Sequence, residues 1–295
     1  MEIKIAPGTY VAAVSGGVDS MVLLDVLAQQ AGLSLVVAHY DHGIRPDSAE
    51  DRKLVVAAAH RYGLPFVYGE GRLGARAGEA AARAARYAFL EQVQKERGAQ
   101  AIILAHHQDD VLETAILNML RGTGRRGLTA LVNVPTRLRP LLGMPKTDIV
   151  AYAKQRGITW REDSTNMDQR YLRNYIRHTL LPQFNEAARY RLLRLIVDTQ
   201  QHNEDIDCLL AEWLARWADG TYMNRRQFIL LPHAVAKEIL AAWLRRNGLL
   251  SYDARTLERV TIAVKTLYPG HAVSLVSGAA IFVGKEALAL HVQER

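Results

Sequence analysis

The stretch VAAVSGGVDSMVLL, residues 11–24, decides the reading of this chain: an apolar run, a hexapeptide of small and acidic residues, then a second apolar run. TYVAAV (9–14) has the composition of a β-strand, and residues 18–31 have that of a helix. A bend of small residues between strand and helix presents successive backbone N–H groups where the helix dipole is positive, a geometry suited to phosphate. Ser15, Gly16, Gly17, Val18, Asp19 and Ser20 are therefore the candidate polyphosphate-binding residues. The two glycines allow close approach of the main chain, and the two serines add hydroxyl donors. Asp19 fits such a loop as a ligand or positioner of Mg²⁺. The bend is not a Walker A loop, because it lacks the terminal Gly-Lys-Ser/Thr, and Gly284-Lys285 is followed by Glu286. The plainer alternative is a glycine-rich turn whose Asp and Ser cap the helix.

Working outward, LSLVVAHY (33–40), PFVYGE (65–70) and AQAIILAH (99–106) read as further strands, separated by helices over 47–62 and 79–97, the first of them capped by Asp47. Nearly all-apolar strands alternating with helices predict an α/β fold with a parallel sheet covered on both faces. Ligands in such folds bind beyond the C-terminal strand ends. SGGVDS, HYDHGIR (39–45) and HHQDD (106–110) each follow a strand, so three polar clusters converge on one edge. Helices are predicted over about 109–121 and 146–156, along 184–218 where Pro and Gly are absent, and over 225–247 and 252–267. Trp213 and Trp217 share one face of the long helix, and HAVSLVSGAAIFVGKEALALHV reads as short strands.

The 295 residues, 49% of them hydrophobic, suffice for two domains. A single cysteine, Cys208, excludes an internal disulfide and a four-cysteine zinc site, which makes a reducing cytoplasm the expected location. No run of about 18 apolar residues predicts a membrane span, and MEIKIAPGTY lacks the order of a secretory signal. Residues 121–180 hold 12 Lys and Arg against four Asp and Glu, whereas the whole chain nets only +7. A surplus confined to one stretch suits either a polyanion-facing surface or a solvated face. Composition leaves a monomer and a homodimer both open.

SGGVDS after an apolar strand resembles the PP-loop ATP pyrophosphatase superfamily. HYDHGIR, GEAAARAARY (78–87), LAHHQDDVLETAILNMLRGTGRRGL (104–128), RPLL (139–142) and WREDSTNMDQRYLRNYIRHTLLP (160–182) follow in the order seen in the tRNA(Ile)-lysidine synthetase family. The resemblance covers 9–182, and GHAVSLVSGAAIFV is similar to that family's first C-terminal domain. It implies a Rossmann-like PP-loop ATP-binding catalytic domain over 1–183, a helical linker over 184–220 and a small α+β tRNA-binding domain over 221–295. Longer members carry a second C-terminal domain for which this chain has no residues, so a short-form member is implied. The implied partners are ATP, Mg²⁺, free L-lysine and the tRNA(Ile) with a CAU anticodon, with AMP transferred first and lysine second.

Asp109, Asp110 and Glu113 cluster in one helical turn, where they offset the helix dipole or hold a cation. The resemblance assigns Asp110 and Glu113 to the lysine substrate, with one of them a candidate proton acceptor. Arg83 and Arg86 lie one turn apart and suit phosphate or RNA, although Arg86 also reads as part of a solvated face. Arg125 and Arg126 belong to the basic loop RGTGRRG, and Tyr171, Arg173, Asn174 and Arg177 mix stacking, hydrogen bonding and charge as RNA recognition requires. His106 is a further substrate-side candidate. His39, His42, Arg45, His106, His107, Asp109 and Asp110 also read as a metal-dependent phosphohydrolase site, which leaves SGGVDS without a role, and His39 and His106 also read as hydrogen-bonding to neighbouring loops. The remaining rivals are another PP-loop adenylating enzyme and a catalytically silent tRNA-binding protein.

Overall fold

The computed structural model describes residues 1, 3–43, 48–71, 79–161, 172–250, 252–275 and 278–292. The chain divides into two compact units, Met1–Ile196 and Val197–Arg295. The division falls inside the long helix.

In the first unit, β1 (Gly8–Ala13), β2 (Leu33–Asp41), β3 (Phe66–Glu70), β4 (Ala101–Ile103) and β5 (Arg137–Leu138) form a sheet in the order β3-β2-β1-β4-β5, every pairing parallel. Buried on both faces, the strands need no polar alternation, which is why their sequences read as continuous apolar runs. Helices α1 (Val18–Ala28), α2 (Ser48–Arg61) and α6 (Lys146–Gln155) cover one face; Val22, Leu23, Val55, Ala59 and Ile149 bury there against Tyr10, Ala12 and Val37. On the other face α3 (Glu79–Glu96) sets Leu90 and Val93 against Val11, Val36 and Ile102. Asp47, the expected cap of α2, lies outside the described residues. Chain order reverses between β1 and β4, which are neighbours despite their separation in sequence. Such a switch point opens a crevice at the carboxyl ends of the strands.

Beyond β4 come α4 (Gln108–Leu120), α5 (Arg125–Leu128) and α7 (Leu172–Tyr175). A π-helical turn (Ile176–Leu180) and a 3₁₀ turn (Leu181–Gln183) lead into α8 (Glu186–Trp217). Leu112, Ala115 and Ile116 of α4 pack on Ile176, Leu181 and Ile196. This apolar contact lays the 172–181 segment over α4.

The second unit has α9 (Arg225–Ile229), α10 (His233–Arg246), α11 (Ala254–Thr266) and an antiparallel sheet in the order β6-β7-β10-β9-β8. Its strands are β6 (Ala218–Asp219), β7 (Tyr222–Asn224), β8 (His271–Ser274), β9 (Ala280–Val283) and β10 (Ala287–His291). The single helix expected over 225–247 is two, because Pro232 caps α10 and cannot continue α9. Met223, Ile281, Val283, Leu288 and Leu290 turn inward onto Phe228, Leu240, Trp243 and Val260. Arg225 is buried here, donating to the carbonyls of Val264, Gly284 and Leu267 at 3.2, 3.1 and 2.6 Å.

Candidate active site

SGGVDS occupies the crevice as expected. Gly16 takes φ +93°, a left-handed conformation that favours glycine. Ser15 N–H donates to Ser20 Oγ at 3.1 Å, and Ser20 Oγ donates to Gly17 O at 2.9 Å, so the serines shape the bend. Arg161 N–H donates to Gly16 O at 3.1 Å, and the Arg161 side chain pairs with buried Asp51 at 2.8 Å, bracing the loop from outside. Gly17 is the N-cap of α1 and supplies no side-chain cap hydrogen bond. An anion can therefore take the first-turn amides of α1.

Asp19 projects from that turn. Lys146, the first residue of α6, donates to its Oδ1 at 2.6 Å and its Oδ2 at 2.7 Å. His107 Nε2 stands 3.7 Å from Asp19 Oδ2 and 3.5 Å from Asp110 Oδ2, linking the loop to the acids of α4. Among the described residues no group of three His, Cys, Asp or Glu side chains could hold a metal ion. One carboxylate on a phosphate loop still fits Mg²⁺, which binds through one or two protein carboxylates plus substrate phosphates.

At the start of α4, His107 is the N-cap: its Nδ1 accepts from Asp109 N–H at 3.2 Å while Asp110 Oδ2 accepts from His107 N–H at 2.9 Å. Asp110 is 7% exposed and Glu113 is 0% exposed, so both charges need partners. Arg177 supplies them, donating from Nε to Glu113 Oε1 at 2.5 Å and from Nη2 to Glu113 Oε2 at 2.8 Å and Asp110 Oδ1 at 2.9 Å. Arg173 Nε adds a contact to Glu113 Oε2 at 3.3 Å. Burial pushes the Asp110 carboxyl up, yet the adjacent His107 side chain, the His107 N–H and Arg177 together hold it below the ordinary carboxylate value. An acid kept ionised in this way is suited to gripping a cation rather than to taking a proton. Asp109 does not join the other two acids; it pairs with Arg189 of α8 at 3.0 Å.

A second cluster surrounds Tyr87 on α3. The guanidinium carbons of Arg83, Arg86 and Arg137 lie 5.0, 5.6 and 4.6 Å from its ring centre. Arg83 Nη2 also donates to the Tyr87 hydroxyl at 3.2 Å. Arg86 is half-buried beside the Tyr87 ring, and burial lowers its pKa. Arg139 Nε donates to His106 Nδ1 at 3.3 Å. Burial lowers the His106 pKa to about 3, with nearby Arg139, Arg86 and Arg83 acting in the same direction, so this imidazole is neutral.

His39 takes the plainer role: it is buried, with Nδ1 2.8 Å from Val14 O, and is stacked near Tyr68. His42 packs edge-on against Tyr40. Arg125 and Arg126 open α5, so RGTGRRG is partly helical, and they follow the far end of α4, about 15 Å along its axis from Asp110. They are not brought to the acid pair. Asn174 lies on α7 between the two acid-gripping arginines in sequence. Arg45 and Tyr171 lie outside the described residues. Lys146, Arg139 and Arg189 are the site residues that the sequence did not disclose. RPLL contains Arg139, but nothing local distinguishes the other two from solvated cations.

The PP-loop domain family matches residues 5–184. The chain is 37% identical over 276 residues to the tRNA(Ile)-lysidine synthase of Methylococcus capsulatus, covering 86% of this chain and 62% of that one. It is 42% identical over 199 residues to the synthase of Geobacter sulfurreducens, covering 62% and 42%, and 36% identical to that of Thermus thermophilus, covering 84% and 51%. The chain thus spans less than two thirds of the length of these relatives. Among solved structures, the U34-tRNA thiolase NcsA from Methanococcus maripaludis aligns with a TM-score of 0.54 at 16% identity, over 67% of this chain and 74% of that one, a likeness of fold. With its SGGVDS loop at the switch point of a five-stranded parallel sheet and the PP-loop domain matched over more than half of its length, the chain belongs to the PP-loop family.

Proposed function

We propose that this protein ligates lysine to the wobble cytidine of the tRNA(Ile) bearing a CAU anticodon, forming lysidine at the expense of ATP. The observation that carries the reading is the juxtaposition, on adjacent strands, of an anion-binding loop after β1 and a buried carboxylate pair after β4. A loop for polyphosphate beside a cage for an ammonium group is what joining an amino acid through an adenylated intermediate requires. The names of the curated relatives agree with it.

In the first step the cytidine 2-oxo oxygen attacks the α-phosphorus of ATP and pyrophosphate leaves, giving the O-adenylated base. SGGVDS holds the polyphosphate, and Arg83, Arg86 and neutral His106 line the approach of the RNA. Asp19 would hold Mg²⁺, which when bound neutralises charge on the phosphates. In the second step the free lysine ε-amine attacks C2 and AMP leaves, the nitrogen shedding its proton. Asp110 and Glu113 hold the amino acid, sharing oxygens already fixed by Arg173 and Arg177; ionised carboxylates have acceptor sites for both. The base must leave its stack to be reached. Asn174, Arg125 and Arg126 are the further RNA contacts, and residues 221–295 a tRNA-binding domain joined by the 184–220 linker. A cytoplasmic location follows from the substrate. Among the described residues no helix is long and apolar enough to cross a membrane.

The test is ATP-dependent incorporation of labelled lysine into purified tRNA(Ile), with tRNA(Met) as the control. Incorporation into the first alone is expected. Pyrophosphate release without lysine transfer would establish a different PP-loop adenylating enzyme, and tRNA retention without ATP turnover a silent binder.

A further inference from the structure

Helices α1 and α6 run side by side, joined by three polar rungs at one constant sequence offset. Asp19 meets Lys146 at the loop end, Asp25 accepts from the Tyr152 hydroxyl at 2.8 Å in the middle, and Gln29 Oε1 accepts from Arg156 at 3.2 Å at the far end. Each pair is 127 residues apart. The helices therefore lie parallel and in register, with Ile149 and Ala153 packed among Val22, Leu23 and Val26 between the rungs. The middle rung is the firmest. Asp25 is buried and also accepts from Tyr62 at 2.6 Å and Gln29 at 2.8 Å.

The top rung differs. Lys146 donates to both oxygens of Asp19, yet its side chain is 36% exposed and Asp19 is 26% exposed. A divalent ion on Asp19 would stand about 2.0–2.1 Å from a carboxylate oxygen and would compete there with the ammonium. Once displaced, the ammonium stays tethered to a helix whose position the lower rungs fix, beside a phosphate loop that has no lysine of its own.

Resting on the ATP reading above, we propose that Lys146 is the polyphosphate-binding cation of this site, supplied by the ladder from α6 and held by Asp19 until nucleotide and divalent ion arrive. It takes the part that a lysine within the loop plays in Walker-type sites. It grips the β- and γ-phosphates, and the pyrophosphate they become.

The experiment is titration calorimetry of the full chain with ATP and with AMP in the presence of Mg²⁺, for wild type, Lys146→Met and Lys146→Arg. Lys146→Met is expected to weaken ATP at least about tenfold, the scale of a lost charge-assisted hydrogen bond, while leaving AMP within about twofold. Lys146→Arg should recover most of the ATP affinity. In the Met variant the Mg²⁺ concentration for half-maximal ATP-dependent thermal stabilisation should fall, because Asp19 is then free. Unchanged ATP affinity in Lys146→Met, or equal loss of ATP and AMP, overturns the proposal and leaves the ATP reading standing. Failure of the wild type to bind ATP overturns both.

Discussion

Replacing Arg177 by Met should unlock the acid pair, and its cost follows from the geometry. The substitution deletes three hydrogen bonds of 2.5–2.9 Å and leaves Glu113, with no exposed surface, short of its principal counter-charge. Breaking a buried pair by removing one partner costs roughly 3–5 kcal/mol, mostly from the stranded charge. Arg173 remains 3.3 Å from Glu113, which places the expectation near the lower end, about 3 kcal/mol. For a unit of this size that lowers the unfolding midpoint by about 6–12 °C. Circular dichroism on heating measures it, read on the transition of the first unit. The decisive comparison is Arg177→Met/Glu113→Gln, in which the stranded charge is gone and at least half of the lost stability should return. If the single variant loses less than about 1 kcal/mol, or the double variant is no more stable than the single, the pair is not held as described.

Gly16→Ala should abolish nucleotide binding and destabilise the first unit by about 1–2 kcal/mol. The added Cβ meets only ordinary contacts, the nearest being Asp51 Cβ at 3.5 Å, so the penalty comes from φ +93°; retained ATP affinity by calorimetry would contradict this. The unfolded chain protonates His106 near pH 6.5 whereas the folded chain resists until about pH 3, so stability falls as pH drops through that window. His106→Gln should flatten the fall by up to about 1.4 kcal/mol per pH unit, measured by urea denaturation between pH 6.5 and pH 4. Arg225→Met strands three carbonyls in the second unit and should cost it about 3 kcal/mol while leaving ATP affinity of the first unit unchanged, a separation visible by pairing calorimetry with hydrogen exchange.

The sheet was legible because burial on both faces writes each strand as an apolar run, and the loop and the acid pair because each is local. AQAIILAH shortens to Ala101–Ile103, and β6 and β7, two and three residues around Gly220, carry too little pattern to register. Residues 225–247 are periodic on both sides of Pro232, which hid the break between α9 and α10. Lys146 and Arg189 could not be singled out, because each is an ordinary cation until packing sets it against an acid far away in sequence, 127 and 80 residues respectively. For the same reason Asp109 read as a third member of the acid cluster, when a distant helix claims it.

The order in which the site's parts leave the ribosome is also fixed by the topology. The SGGVDS loop is made by residue 20 and the two strands that flank β1 by residue 103, the two interior acids follow at 110 and 113, and Arg177 that pairs with both is made only at 177. A nascent chain therefore carries both acids through more than sixty residues of synthesis before the arginine that pairs them exists. The last piece made, the 172–181 segment, thus completes both the ion pairing of the acids and the apolar cover of α4 in a single stretch of chain.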